Sequence, residues 1–211
     1  SARQQSQEGN YFDTFFNSRF DYDKRNQKFR PDGGFRSTYT LDIPLISETY
    51  TLTNRYNFQK YTSLYDNNVS SFGIYFEAAN SIKGDDIKLS ERLYIPTRKL
   101  RGFERGKVGP KDGSDFVGGN YIATINATTN IPALFQNFQN LDAVLFLDVG
   151  NIWGVDYDSS INDSNEIRSS IGIGIDWFSA IGPINFSLSE AISKADTDIT
   201  ETFRFNIGTT F

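Results

Sequence analysis

The sequence predicts an all-β fold, an antiparallel transmembrane β-barrel. Nine segments alternate apolar and polar residues with the period of two that a half-buried strand requires. Several of them are about ten residues long, and a transmembrane strand needs roughly 9–11 residues. Aromatic residues make up 15% of the chain although the mean hydropathy is −0.45. Apolar residues are therefore plentiful but interspersed with polar ones, as in a wall with one face in lipid.

The composition excludes several kinds of chemistry. The chain of 211 residues has no Cys and no His, which excludes disulfides, thiolate metal sites and Ser-His-Asp catalysis. No catalytic residue, cofactor or metal is predicted, and we expect a protein that is not an enzyme. A net charge of −5 and a pI of about 4.8 argue against a nucleic-acid partner. The absence of Met indicates a mature or excised segment.

The first four predicted strands place their apolar residues on one parity. Residues 1–9 are polar and are expected to form a disordered or linker segment, followed by a barrel domain over 10–211. The opposite parity holds Ser, Thr, Asn, Gly, Arg and Asp, which suit a wet or hydrogen-bonded lumen. The apolar positions are Phe12, Phe16, Phe20 and Tyr22; Phe35, Tyr39, Leu41 and Ile43; Tyr50, Leu52, Tyr56 and Phe58; and Phe72, Ile74, Phe76 and Ala78.

The remaining five predicted strands continue the alternation to the last residue. Phe146 and Asp148 share the polar parity of their strand, so both are expected to face the lumen. A soluble barrel or sandwich with the same alternation turned inside out is an alternative that the pattern leaves open. The apolar positions are Tyr121, Ala123, Ile125, Ala127 and Ile131; Leu141, Ala143, Leu145, Leu147 and Val149; Ile167, Ile171, Ile173, Ile175 and Trp177; Ile184, Phe186 and Leu188; and Phe203, Phe205, Ile207 and Phe211.

The connections indicate a direction across the membrane. If the last strand ends on the periplasmic side, the long connections 81–116, 154–166 and 191–200 are extracellular, as in outer-membrane barrels. The segment 81–116 is much longer than the 12–15 residues at which a loop is usually functional or disordered. A short link is predicted over 44–48. The acidic residues of 154–166, including Asp156, lack the spacing of a calcium loop and are interpreted as solvated.

Several short motifs occur in a specific order and spacing. They are Leu100-Arg101-Gly102-Phe103, Gly118-Gly119-Asn120, Phe146-Leu147-Asp148-Val149-Gly150, and Phe203-Arg204-Phe205-Asn206-Ile207-Gly208 with the terminal Phe211. On these motifs, the sequence resembles the C-terminal part of the barrel of the BamA family, in the bacterial surface antigen or outer-membrane insertion porin superfamily, from about residue 29 to residue 211. Leu100 replaces a Val of the family's loop motif, and Tyr94-Ile95-Pro96-Thr97 stands where the family usually has a Gly pair.

The resemblance implies a fold and a set of site residues. It implies the C-terminal portion, eight or nine strands, of a larger barrel whose long loop folds back into the lumen. In the loop, Arg101, followed by Gly102 and Phe103, would grip Phe146 and Asp148 on the inner wall. Thr128 stands where many relatives have a second carboxylate. The last strand would serve as a recognition signal and as one side of a lateral gate, through Phe203, Phe205, Ile207, Gly208 and Phe211.

The resemblance also implies a function. It implies a non-enzymatic insertase of the cell outer membrane that folds and inserts other β-barrel proteins. Its partners would be outer-membrane lipid, unfolded outer-membrane proteins, other subunits of the machinery, and preceding barrel strands with periplasmic modules. The alternatives are a related barrel that secretes a partner protein and a passive outer-membrane pore or anchor. A hydrolase is disfavoured because no His can act as base. The Arg101-Gly102-Phe103 loop favours the assembly factor over a passive barrel, and Gly118-Gly119-Asn120 with Asp148-Val149-Gly150 favours it over the secretion barrel.

Closure of the barrel poses a geometric problem. Nine antiparallel strands would make the first and the last run the same way, whereas bacterial single-chain barrels keep even counts. Three arrangements solve it: the first segment stays out of the wall, two chains join edge to edge, or partner strands complete the wall. The resemblance favours an incomplete wall that needs partner strands.

Overall fold

A computed structural model describes residues 5, 7–135, 138, 140–162, 166–179 and 182–207. Within these residues the chain forms a nine-stranded sheet and a separate two-stranded hairpin. No helix in this described part is long and apolar enough to cross a membrane. The predicted all-β antiparallel class is confirmed.

The large sheet is a meander in which strands that follow one another in the chain lie side by side. Its order is β1-β2-β3-β4-β7-β8-β9-β10-β11, and each neighbouring pair is antiparallel. This is the arrangement of an up-and-down barrel wall. The strands are β1 Thr14–Asp23, β2 Gly34–Ile46, β3 Thr51–Thr62, β4 Ser70–Ser81, β5 Lys111–Asp112, β6 Asp115–Phe116, β7 Tyr121–Asn130, β8 Leu141–Trp153, β9 Arg168–Ser179, β10 Gly182–Ser193 and β11 Phe203–Ile207.

Two boundaries differ from the prediction. The long loop occupies 82–120 and contains the hairpin β5–β6 and a short 3-10 turn at Leu89–Glu91; a second such turn lies at Pro132–Leu134. Strand β2 continues through Pro44 to Ile46, so residues 44–46 of the link predicted over 44–48 belong to the strand. Pro44 is tolerated because the register of the β1–β2 ladder shifts between Thr14 and Phe15. At such a bulge one ladder hydrogen bond is absent, so the N–H that proline lacks is not needed.

The two faces of the wall differ as the parity predicts. On β9 the side chains of Ile171 and Ile173 are exposed, whereas those of Arg168 and Ser170, on the opposite parity, are buried. On β11 Phe203, Phe205 and Ile207 are exposed, and Arg204 is buried. The apolar face therefore points outward, which is the lipid side of a membrane barrel.

The long loop packs against the inner face of the wall. Its apolar residues meet residues of β4, β7 and β8 in one buried cluster, which we call the lumenal core. Burial in the lumenal core removes the apolar side chains of the loop from water, and this hydrophobic effect favours packing of the loop against the wall. The lumenal core consists of Tyr75, Ala79, Ile87, Leu93, Leu100, Phe103, Val108, Ile122 and Ile152.

The sheet is curled and unclosed. Arg30, in the connection between β1 and β2, forms an ion pair with Asp142 on β8, and its guanidinium lies 4.7 Å from the ring centroid of Phe178 on β9. Strand β1 belongs to the sheet and pairs with β2. Within the described residues no ladder joins β1 to β11. The chain is thus a partial barrel, as predicted.

The expectation of a linker over residues 1–9 stays a prediction. The structure describes residues 5 and 7–9 of that segment. There, the side-chain oxygen of Gln7 accepts a hydrogen bond of 2.9 Å from the backbone N–H of Leu89.

Candidate functional site

The centre of the candidate site is a two-point contact between the long loop and the inner wall. Arg101 donates from Nε to Oδ2 of Asp148 and from Nη2 to Oδ1, both at 2.7 Å. The backbone N–H of Arg101 also donates to Oδ2, at 3.0 Å. The side chain of Asp148 is fully buried and that of Arg101 is 16% exposed. A charge-assisted fork of this kind is among the stronger hydrogen-bonded contacts in proteins.

The wall satisfies the rest of the bonding capacity of Asp148. Asn126 on β7 donates to Oδ1 of Asp148 at 2.8 Å and also to the backbone oxygen of Lys99. Arg101 Nη2 lies 3.4 Å from the hydroxyl oxygen of Thr128. Thr128 is thus a weak second acceptor, and Asp148 is the anionic partner of Arg101. A buried carboxylate needs such complete satisfaction, because its desolvation is costly.

Phe146 forms the aromatic wall of the site. The guanidinium carbon of Arg101 lies 3.6 Å from the centroid of the Phe146 ring, within cation–π range. Phe146 faces Gly172 across the β8–β9 ladder. A Cβ at Gly172 would approach Cζ of Phe146 to 2.3 Å, so only glycine leaves room for the ring.

Gly102 occupies a position that favours glycine for two reasons. Its φ is +87°, in the left-handed region. A Cβ there would lie 3.0 Å from Cβ of Ser170 on β9 and 3.5 Å from Cβ of Ser189 on β10. The Ser170 hydroxyl donates to the backbone oxygen of Arg101 at 2.5 Å. The loop backbone therefore lies directly on the wall at this point.

Leu100 and Phe103 anchor the loop on either side of Arg101. Both side chains are buried in the lumenal core. Phe103 also forms an isolated antiparallel bridge with Thr200, in the connection between β10 and β11. The loop motif is thus held by an ion pair, by apolar burial and by backbone pairing.

Lys99 is a second cation beside the site. Its Nζ donates to Oδ1 of Asn57 at 2.7 Å and lies 5.4 Å from the ring centroid of Tyr75. Burial lowers the pKa of the Lys99 ammonium, Asp148 opposes the shift and Arg101 adds to it. The loop therefore brings two positive charges to the inner wall. Arg101 pairs with the carboxylate of Asp148, and Lys99 bonds to the neutral amide of Asn57.

The C-terminal strand residues are partly described. Phe203, Phe205 and Ile207 lie on the outward face, and β11 pairs with β10 through all five of its residues. Gly208 and Phe211, also predicted as part of this strand, lie outside the described residues. The structure brings Arg101, Gly102, Phe103, Phe146 and Asp148 together in one place, with β11 at the edge of the same sheet.

Sequence reasoning missed several residues of the site and misjudged one. Asn126, Ser170 and Gly172 lie on the predicted inner parity, but their proximity to Asp148 depends on strand register, which the pattern does not give. Asp156 was expected to be solvated. Instead it accepts from Arg92 at 2.8 Å and from the backbone N–H of Ile87 at 3.0 Å, because the buried guanidinium of Arg92 needs a counter-charge.

Comparison with known proteins places these features in a family. The model of the Omp85 superfamily domain matches residues 1–211. The outer membrane protein assembly factor BamA of Neorickettsia risticii is 29% identical over 131 residues, 61% of this chain and 18% of that protein. The factor of the same name from Neisseria meningitidis serogroup B is 29% identical over 139 residues, 53% of this chain and 17% of that protein. The chain thus spans less than a fifth of either relative.

A solved structure shares the fold. The crystal structure of BamA from Haemophilus ducreyi lacking POTRA domains 1–3 superimposes with a TM-score of 0.81 and 24% identity. The match covers 90% of this chain and 41% of that one. The curled, unclosed sheet therefore corresponds to part of a larger barrel.

Proposed function

Since the chain belongs to the Omp85 superfamily, we propose that it is part of an outer-membrane protein assembly factor, an insertase that folds and inserts other β-barrel proteins. As a member of that family it is a β-barrel of the outer membrane. The proposed partners are unfolded outer-membrane proteins, the surrounding lipid, further subunits of the machinery and the remaining strands of the barrel. The proposed activity is non-enzymatic, since templating a strand breaks no covalent bond.

The observation that carries the proposal is the contact of Arg101 with Asp148 and Phe146. A passive pore conducts through a water-filled lumen, and a loop that packs apolar residues on its wall reduces that space. Here the loop is fixed by a buried ion pair, and its apolar residues fill the inner side of the sheet. The relatives from Neorickettsia risticii and Neisseria meningitidis are each named as an outer membrane protein assembly factor.

The geometry of β11 supports a templating role. Its outward face is apolar, and one of its edges pairs with β10. The other edge has no strand partner among the described residues. An exposed edge is a template on which an extended segment can add by main-chain hydrogen bonds. A substrate strand that pairs there would enter the membrane with its backbone groups satisfied.

The test is reconstitution of the full-length protein in lipid vesicles. The folding rate of an unrelated outer-membrane barrel protein is measured from its gel mobility without heating, and vesicles without protein give the baseline. We expect faster folding with the protein. The Arg101→Gln variant should lose roughly tenfold or more of the added rate, which corresponds to about 1.4 kcal/mol.

The matched control is Arg36→Gln. Arg36 also faces the lumen and donates to a carboxylate, Asp21, on the neighbouring strand, at 2.9 Å. The Arg36→Gln variant should speed folding of the substrate barrel as much as the unaltered protein does. Folding no faster than in empty vesicles would contradict the proposal; steady ion conductance in that case would favour a pore, and export of a soluble partner would favour a secretion barrel.

A further inference from the structure

One side chain of the last strand holds the long loop. Arg204 is the buried, inward-facing residue of β11. It donates from Nη1 to the backbone oxygen of Thr97 at 3.0 Å and from Nη2 to that of Phe103 at 2.5 Å. Its Nε donates to Oε2 of Glu201 at 2.8 Å. The two loop carbonyls lie on either side of Arg101 in the chain, so Arg204 spans the segment that binds Asp148.

Backbone pairing joins the same loop segment to the connection before β11. The N–H of Glu104 donates to the oxygen of Ile199 at 2.8 Å, and the N–H of Ile199 donates to the oxygen of Lys107 at 3.0 Å. The N–H of Glu201 donates to the oxygen of Gly102 at 3.0 Å. The loop and this connection therefore form a short antiparallel ladder inside the barrel.

A second buried ion pair fixes the far end of that ladder. Arg168 Nε on β9 donates to Oδ2 of Asp198 at 2.8 Å, and both side chains are almost completely buried. Asp198 Oδ1 also accepts from the backbone N–H of Gly109, in the long loop, at 3.1 Å. The ladder is thus tied to β9 at Asp198 and to β11 at Arg204.

The described part of strand β11 is short. Its described part has five residues, all paired with β10, and its second edge has no strand partner among the described residues. On the outward face, the Phe205 ring lies 5.2 Å from the ring of Phe186 on β10. On the inner face, the contacts of Arg204 tie the strand to the long loop.

We propose that Arg204 is a positioning residue that couples the contact of Arg101 with Asp148 to the pairing of β11. While Arg101 is bound to Asp148, Arg204 can donate to the carbonyls of both Thr97 and Phe103. In this state β11 stays paired with β10. When the loop leaves the wall, both acceptors leave with it, and β11 is free to change its pairing. This inference rests on the proposed function, because it assigns the control of the strand edge that would be offered to substrates.

The chemistry of the contact requires arginine. A guanidinium presents five N–H donors in a rigid plane, so one side chain reaches two carbonyls and a carboxylate at once. Lysine has a compact ammonium that cannot span two acceptors in the same fork. Glutamine has one donor group and no charge for Glu201. Arg204→Lys and Arg204→Gln therefore remove the span in two different ways.

The test is amide hydrogen exchange, measured by mass spectrometry on the full-length protein in lipid bilayers without any substrate. The variants are Asp148→Asn, Arg204→Gln and their combination, with Arg36→Gln as the control. Asp148→Asn should speed exchange in the loop segment 97–107 and also in β11, the latter by roughly 5–150-fold, the usual range for coupled sites. Arg36→Gln should change neither.

The double variant separates coupling from a merely structural contribution. In the Arg204→Gln background, Asp148→Asn should still speed exchange in the loop but should have no further effect on β11. Two independent stabilising contacts would instead give additive effects. Acceleration of β11 by the same factor in both backgrounds, or no acceleration of β11 by Asp148→Asn at all, would overturn the proposal.

Two features keep the outcome decisive. If Arg204→Gln does not fold, Arg204→Lys keeps the charge beside Glu201 and is compared in the same way. Hydrogen exchange is measured without a folding substrate, so a failure of the coupling says nothing about insertase activity, which the vesicle assay tests separately. Conversely, an inactive but normally coupled protein would refute the proposed function and leave the coupling intact.

Discussion

The ring of Phe146 stands in the space that a side chain at Gly172 would need. The two residues face each other across the β8–β9 ladder, and a Cβ on Gly172 would come within 2.3 Å of the ring. The guanidinium of Arg101 lies over the same ring, 3.6 Å from its centroid. A glycine on one strand therefore determines where the loop binds on the next.

Gly172→Ala should overpack this contact. The Cβ would meet the ring of Phe146 and, at 2.4 Å, the backbone oxygen of Leu188 on β10, so both must shift. Overpacking a well-filled site costs about 1–3 kcal/mol. Equilibrium unfolding in urea measures the loss. The control is Gly33→Ala, where an added Cβ would have no neighbour closer than 3.9 Å. Equal losses in the two variants would contradict the steric account.

Asp148→Asn should destabilise the protein more than the same change at Asp21. It leaves the guanidinium of Arg101 in the lumen without its counter-charge, and breaking a buried pair in this way costs about 3–5 kcal/mol. The Arg36–Asp21 pair is more exposed, with side chains 27% and 34% accessible, so its loss should cost about 1 kcal/mol or less. The free energies of unfolding of both variants are measured at one salt concentration. Similar losses for Asp148→Asn and Asp21→Asn would contradict the prediction.

Gly102→Ala should loosen the long loop. The substitution places a side chain at a φ of +87° and against Ser170. Trypsin reports the effect, because Arg98, Arg105 and Lys107 flank the site and should be cut faster in the variant. Gly113→Ala is the matched control: its φ is also positive, at +61°, but an added Cβ meets nothing within 4 Å. Faster cleavage in both variants would point to backbone strain rather than to the contact with the wall.

Labels on β11 should report two different environments. The chain contains no Cys, so a single cysteine at Phe205 or at Asn206 carries a fluorophore or nitroxide at one defined place. The label at Phe205 should be quenched by lipid-bound quenchers and the label at Asn206 should not. Phe205 lies on the outward face, whereas Arg204, on the same parity as Asn206, is buried on the inner face. A charged group such as Arg204 on the lipid face at mid-bilayer would cost roughly 2–4 kcal/mol, so this parity is expected to face away from lipid. Equal water access at both sites would refute the assignment.

The 211-residue chain on its own should not remain a closed monomer. Strands β1 and β11 have no ladder between them among the described residues, and each unsatisfied backbone group in lipid costs several kcal/mol. We expect the isolated chain in detergent to associate through these edges. Light scattering gives the mass, and a cysteine pair at Phe16 and Phe205 shows whether the bond forms between chains. A monomer with that bond inside one chain would mean that the barrel closes on itself.

The sequence was sufficient to predict the faces of the strands and the partner of Arg101. The alternation of residues determines which side chains share a face, and the resemblance pointed to Phe146 and Asp148. It did not reveal Arg204, because the acceptors of Arg204 are backbone carbonyls of Thr97 and Phe103, which every residue possesses. It also ended β2 too early, because Pro44 is a turn signal unless a bulge faces it.

The lumenal core has an electrical consequence. Where the long loop covers the inner wall, the space beside β4, β7 and β8 is filled by residues such as Leu93, Phe103 and Ile152. An ion that moves along this side would have to shed its water against hydrocarbon, and such apolar constrictions block conduction by dewetting. With the loop in place, this side of the inner wall therefore presents a packed apolar cluster to an ion rather than a wet surface.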